Sequence, residues 1–170
     1  LVGSEMCIRD SHDPERHRRS GGGRGMSTIR KAARADLDAV CRIYDQIHTA
    51  EERGEAPIGW QRGVYPERET AEAALARGDL FVQEQNGEIV GTAILNQTQV
   101  DSYAGANWRY DAPDSEVMVL HTLVIDPEAK SRGLGREFAA FYEGYALAHG
   151  CRYLRIDTNA RLSLIHISEP

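Results

Sequence analysis

Seven residues carry the most legible chemistry in the chain: Lys130, Ser131, Arg132, Gly133, Leu134, Gly135 and Arg136. They place two glycines and three cations at the start of an amphipathic run. A helix beginning there presents free backbone N–H groups and the positive end of its dipole, which together favour an anion. Glycine has no Cβ, so the backbone can approach a phosphate closely. The chemistry on offer is capture of a phosphorylated ligand, unless the glycines serve only a tight turn. Two other phosphate loops fail on the letters. A Walker loop needs Gly-Lys-Ser/Thr, and Gly135 is followed by Arg136 and Glu137. A dinucleotide fingerprint needs a third glycine where Phe138 stands. Shortly upstream, His121 is the one titratable side chain inside an apolar run, and imidazole titrates near neutral pH.

These residues need a strand before them and a helix after them. Val117–Ile125 is apolar on both faces, with Val117, Val119, Leu123 and Ile125 on one side and Met118, Leu120 and Val124 on the other. Such a strand belongs inside a covered sheet. Pro127 ends it, having no N–H to donate. The helix starts near Gly133–Gly135, stops at Gly150, and is expected to bury Leu134, Phe138, Phe141, Tyr145 and Ala148. Upstream, 27–31 reads as a strand, 35–52 as a helix with Leu37, Val40, Cys41, Tyr44, Ile47 and His48 on one stripe, and 67–77 as a second helix. Residues 80–85 and 88–97 form a hairpin around Asn86-Gly87. The stretch 152–157 is a last strand. No internal repeats occur.

Lys130-Ser131-Arg132-Gly133-Leu134-Gly135 resembles the acyl-coenzyme A loop of the GNAT N-acetyltransferases, Arg/Gln-x-x-Gly-x-Gly/Ala, with Lys130 in place of the usual Arg or Gln. Leu123-Val124-Ile125-Asp126-Pro127 looks like that family's strand end, and the order of elements is similar from Met26 to about Arg161. The resemblance implies a mixed α/β fold: a mostly antiparallel sheet flanked by helices. It implies acetyl-CoA as acyl donor, with the pantetheine arm held by the backbone of Leu123, Val124 and Ile125 between two splayed parallel strands. Residues Lys130 to Arg136 would cradle the pyrophosphate. Transfer to an amine needs proximity, a base, and a donor for the charge developing on the carbonyl oxygen. His121 is the candidate base, the competing role being a histidine satisfied by backbone in a packed sheet. Glu116 stands in reserve. Trp60, Tyr65, Trp108 and Tyr110 are candidate walls of the acceptor pocket, or else cover for the core, and Arg62 or Asp111 would set its charge preference. His48 reads as structural. Cys151 has no partnered nucleophile arrangement. Asp157 and Asn159 close the last strand, as ligand contacts or as strand-end caps.

The chain has 170 residues and a formal net charge of −6, so one domain is expected and a nucleic-acid surface is not. No apolar run reaches the length of a membrane span. Three cysteines without metal-ligand spacing indicate neither a disulfide framework nor a metal, and a cytoplasmic setting is the expectation. Residues 1–25 lack periodicity and read as a disordered leader without packed contacts. Leu1–Ser11 and the tail 162–170 look like adaptor read-through. The domain expected is therefore 26–161, lacking the family's last helix and strands, with the final strand at an open edge and with impaired turnover. The function expected is N-acetyl transfer to a primary amine, a small molecule in preference to a protein amino group. The alternative is a non-catalytic acyl-CoA-binding module. A homodimer is compatible with the sequence.

Overall fold

Nine elements emerge in the computed structural model, which describes residues 2–7, 27–56, 58–98, 112–129 and 133–158. In chain order they are β1 (Val2–Cys7), β2 (Thr28–Lys31), α1 (Leu37–Glu52), α2 (Arg68–Arg77), β3 (Leu80–Gln85), β4 (Glu88–Asn96), β5 (Val117–Ile125), α3 (Leu134–Ala148) and β6 (Tyr153–Thr158). Short 3-10 turns precede α1 and β5. The strands make one six-stranded sheet in the order β1-β6-β5-β4-β3-β2. Every neighbouring pair is antiparallel except β5 and β6, which α3 joins as a crossover. No helix among the described residues is long and apolar enough to cross a membrane.

Alternation along the strands divides the core in two. On one face Leu80, Val82, Ile94 and Val124 pack under α1 and α2, against Val40, Ile43, Tyr44, Ile47, Ala71 and Ala74. On the other, Phe81, Ala93, Leu95, Met118, Leu120 and Leu154 meet α3 through Phe138, Tyr142 and Ala146. The buried stripe of α3 is thus Leu134, Phe138, Tyr142 and Ala146, at a spacing of four. Phe141 and Tyr145, expected in that stripe, are only partly buried. They form an aromatic margin with Phe81, whose ring lies 5.7 Å from Phe141 and 5.0 Å from Tyr145. Ala148 is exposed.

The faces of β5 do not follow the simple alternation. Gly91 and Thr92 of β4 pair with Ile125 and Val124, whereas Ile94 and Leu95 pair with His121 and Leu120. One residue is therefore extra on β5, a β-bulge at Thr122, whose φ is 49°. Beyond it the faces exchange. Leu123 and Ile125 join Met118 and Leu120 on the α3 side, and Val124 joins the α1 side.

The edge at β6 also differs from expectation. Val2–Cys7 pairs antiparallel along the whole of β6, from Val2↔Thr158 to Cys7↔Tyr153. These residues of the expected leader are a strand, and they cover what would otherwise be an open edge. The rest of that leader and the tail lie outside the described residues.

Candidate active site

The parallel ladder of β5 and β6 runs from Val117↔Tyr153 to Leu120↔Ile156 and then ends. β5 continues to Ile125, still paired with β4. Beyond Leu120 and Ile156 the ladder between the two strands does not continue among the described residues, and the strands part to leave a slot. Tyr142 of α3 holds the closed end. Its hydroxyl reaches the Met118 carbonyl on β5 and the Arg155 carbonyl on β6, the latter at 3.1 Å.

His121 and the bulge stand where the strands part. His121 is half-buried, with Nε2 2.9 Å from Oδ1 of Asn96 at the end of β4. Thr122 is buried, and its hydroxyl is hydrogen-bonded to the Tyr65 hydroxyl from the loop between α1 and α2. Tyr65 packs edge-on against Trp60, with ring centroids 5.9 Å apart. Two of the expected acceptor-wall residues therefore come together beside the candidate base. Tyr44 of α1 is buried next to Tyr65, and burial pushes its phenol well above the usual range, so that hydroxyl stays neutral.

That loop is pinned rather than loose. Glu51 accepts the backbone N–H groups of Ile58 and Gly59 at 2.5 and 2.8 Å. Glu67 accepts the N–H of Gly63 at 2.5 Å. His48 is buried as expected of a structural residue, and its Nε2 bonds the Pro66 carbonyl at 2.8 Å. Arg62 is engaged by α1 through Asp45, Glu52 and, at 2.9 Å, Thr49. Its guanidinium thus braces the loop against α1.

At the mouth of the slot, α3 begins on Gly133, whose φ of 96° suits glycine. A Cβ there would meet no atom of the described residues within 4 Å. The helix end is anchored from beneath. Fully buried Gln83 of β3 donates to the Leu134 carbonyl and to Ser27 Oγ, both at 2.9 Å, and Ser27 donates to Glu137. Gly91 is required beside Gln83, since a Cβ there would lie 2.6 Å from its Oε1. Asp126 closes β5 with an Asx turn, accepting the Glu128 N–H at 2.9 Å, with Arg42 of α1 3.8 Å away. Leu134 is buried, Gly135 half-buried and Arg136 exposed. Lys130, Ser131 and Arg132 lie outside the described residues, as do Trp108, Tyr110, Asp111 and Asn159.

The sequence profile of the Acetyltransferase (GNAT) family matches residues 37–163. The chain belongs to the GNAT acetyltransferase family. No curated protein matches it. Among solved structures it resembles a GNAT family acetyltransferase from Streptococcus agalactiae 2603, at 20% identity and a TM-score of 0.65, over 83% of this chain and 81% of that one. It also resembles an N-acetyltransferase from Staphylococcus aureus Mu50, at 21% identity and a TM-score of 0.56, over 84% and 79%. A third likeness, at 20% identity and a TM-score of 0.50, is to N-acetylglutamate synthase from Neisseria gonorrhoeae, solved with coenzyme A and N-acetyl-glutamate. It covers 76% of this chain and 24% of that one. At such identities the likeness concerns the fold.

Within this GNAT domain, Glu116 lies well apart from His121. It lies in the turn before β5, five residues from His121, or roughly 16 Å at about 3.3 Å per residue. Cys151 is buried beneath that same end, and burial pushes its thiol up. Sequence reasoning missed Asn96, Thr122, Gln83 and Asp126. Asn96 and Gln83 left little signal, since each stands where an apolar run gives way to polar residues, Asn96-Gln97-Thr98 and Gln83-Glu84-Gln85.

Proposed function

We propose that the chain is an N-acetyltransferase that moves an acetyl group from acetyl-CoA to a primary amine, with His121 as the base. The single observation carrying this reading is the slot itself: β5 and β6 part after Leu120 and Ile156, and a half-buried imidazole stands at the parting. The backbone of Leu123, Val124 and Ile125 would line the pantetheine arm. The helix start at Gly133–Arg136, with the preceding Lys130, Ser131 and Arg132, would take the pyrophosphate. Trp60 and Tyr65 would face the acceptor, a small-molecule amine in preference to a protein amino group.

The reaction is a direct transfer. The amine nitrogen bonds to the acyl carbon, the C–S bond breaks, and the sulfur leaves with its electron pair. His121 takes the proton that the nitrogen must lose, which matters most where water is excluded. Holding donor and amine together supplies the entropic part of the acceleration.

Thiol release from acetyl-CoA over a panel of amines tests the reading. His121→Ala should lower turnover about a hundredfold, most steeply at lower pH, where the amine is protonated and needs a base. A pH–rate profile left unaltered would return His121 to a structural role. A thermal shift with acetyl-CoA, none with ATP or NAD, and no thiol release with any amine would make the chain a non-catalytic acyl-CoA-binding module instead.

A further inference from the structure

We infer that Asp79 and Asn96 fix the tautomer of His121, so that the imidazole accepts its proton at Nδ1. The catalytic consequence rests on the base role proposed above; the tautomer does not. Asp79 is the anchor. Its Oδ2 accepts the Nε–H of Arg77 at 2.9 Å and a side-chain N–H of Asn96 at 3.1 Å. A carboxylate paired with a guanidinium only accepts, so the group that Asn96 turns toward it must be the NH2. The amide oxygen of Asn96 then faces the other way. There it accepts the backbone N–H of Thr98 at 3.0 Å, which points to the same orientation independently.

That oxygen lies 2.9 Å from Nε2 of His121. An amide oxygen has no proton to give, so Nε2 must carry the hydrogen. In the neutral ring the lone pair then belongs to Nδ1, and the proton leaving the amine goes there. As the ring gains charge, its Nε2–H bond to an amide polarised by Asp79 strengthens. Asn96 and Asp79 are therefore positioning residues. Neither accepts the proton itself.

Long-range 1H–15N correlation of the imidazoles in the full chain reads the tautomer directly, with His121→Ala assigning the signals. Neutral His121 is expected in the Nε2–H form alone. Asn96→Leu should give a mixture of tautomers. If that variant fails to fold, Asn96→Ala, which removes the amide without adding bulk, should give the same mixture. The exchange variant Asp79→Asn with Asn96→Asp keeps an acceptor facing His121 and should restore the Nε2–H form. Turnover should fall about tenfold in Asn96→Leu, with KM for acetyl-CoA unchanged, and recover in the exchange variant. An Nδ1–H signal in the unaltered chain, or an unchanged Nε2–H signal in either folded single variant, overturns the inference. If the tautomer responds as expected while His121→Ala turns over normally, the base role falls and the tautomer assignment stands.

Discussion

Asp36 shows how much one side chain can hold. Its carboxylate takes both guanidinium nitrogens of Arg30 at 2.8 and 3.1 Å and the backbone N–H of Ala33 at 2.7 Å, tying β2 to the start of α1. The Arg30 hydrogen bonds hold this carboxyl below the usual carboxylate range, against the opposing effect of burial. The folded value is depressed, so the stabilisation is present above the unfolded value of about 3.9 and is lost as pH falls through the folded one. For a partly exposed bidentate pair, about 1 kcal/mol is reasonable. Asp36→Asn should therefore lower the melting temperature by about 2–4 °C at pH 7. The gap should close below about pH 4, and a constant gap down to pH 2 would show the pair to be electrostatically idle. From sequence, Asp36 was legible as an acid in a helix's first turn, but its pairing with Arg30 on the preceding strand was not. Asn96 is the same case. The letter only ends an apolar run, and its meaning depends on Asp79 and His121, 17 and 25 positions away.

At the scale of elements, the family loop, the strand before it and the helix after it were all readable, because strand and helix periods differ. Which stripe of α3 goes inward was not. Residues 134, 138, 141 and 145 and residues 134, 138, 142 and 146 are both apolar series, and only the angle of α3 on the sheet chooses between them. The choice brings Tyr142, not Phe141, over the junction of β5 and β6. The bulge at Thr122 was equally hidden. An extra residue in a strand shows only when the partner's register is known, and Thr122 carries no glycine to advertise its positive φ. Tyr142→Phe would leave the carbonyls of Met118 and Arg155 without that donor in a buried setting, at a cost of about 1–2 kcal/mol. The melting temperature should drop by about 3–6 °C, and KM for acetyl-CoA should rise as the closed end of the slot loosens. A variant that melts lower but binds the donor as before would make Tyr142 a core residue only.

For the whole molecule, the order of elements from β2 to β6 follows from the sequence, and so does the single parallel junction that the resemblance implies. The outer strand β1 did not. Its six residues look like neither a periodic strand nor part of the domain, and its pairing with β6 is made by backbone groups that any sequence carries. Removing residues 1–26 should uncover the edge of β6. The expected outcome is a lower melting temperature and more light scattering at the same concentration. A shorter chain that melts alike and stays monodisperse would show that β1 adds nothing to the sheet.

The parting of β5 from β6 also makes this protein its own reporter. On the β4 side the ladder holds β5 from Val119 to Ile125, apart from the bulge, whereas on the β6 side the ladder among the described residues ends at Leu120. Residue-resolved hydrogen exchange should therefore show amides of Leu123–Ile125 that face away from β4 trading their protons quickly, next to slow neighbours on the same strand. Acetyl-CoA should slow that fast set selectively and leave Val117–Leu120 as they were. Uniformly slow exchange along β5 with no donor present would mean that this edge is closed. Because the signal comes from the main chain, it can be read before any amine acceptor is known.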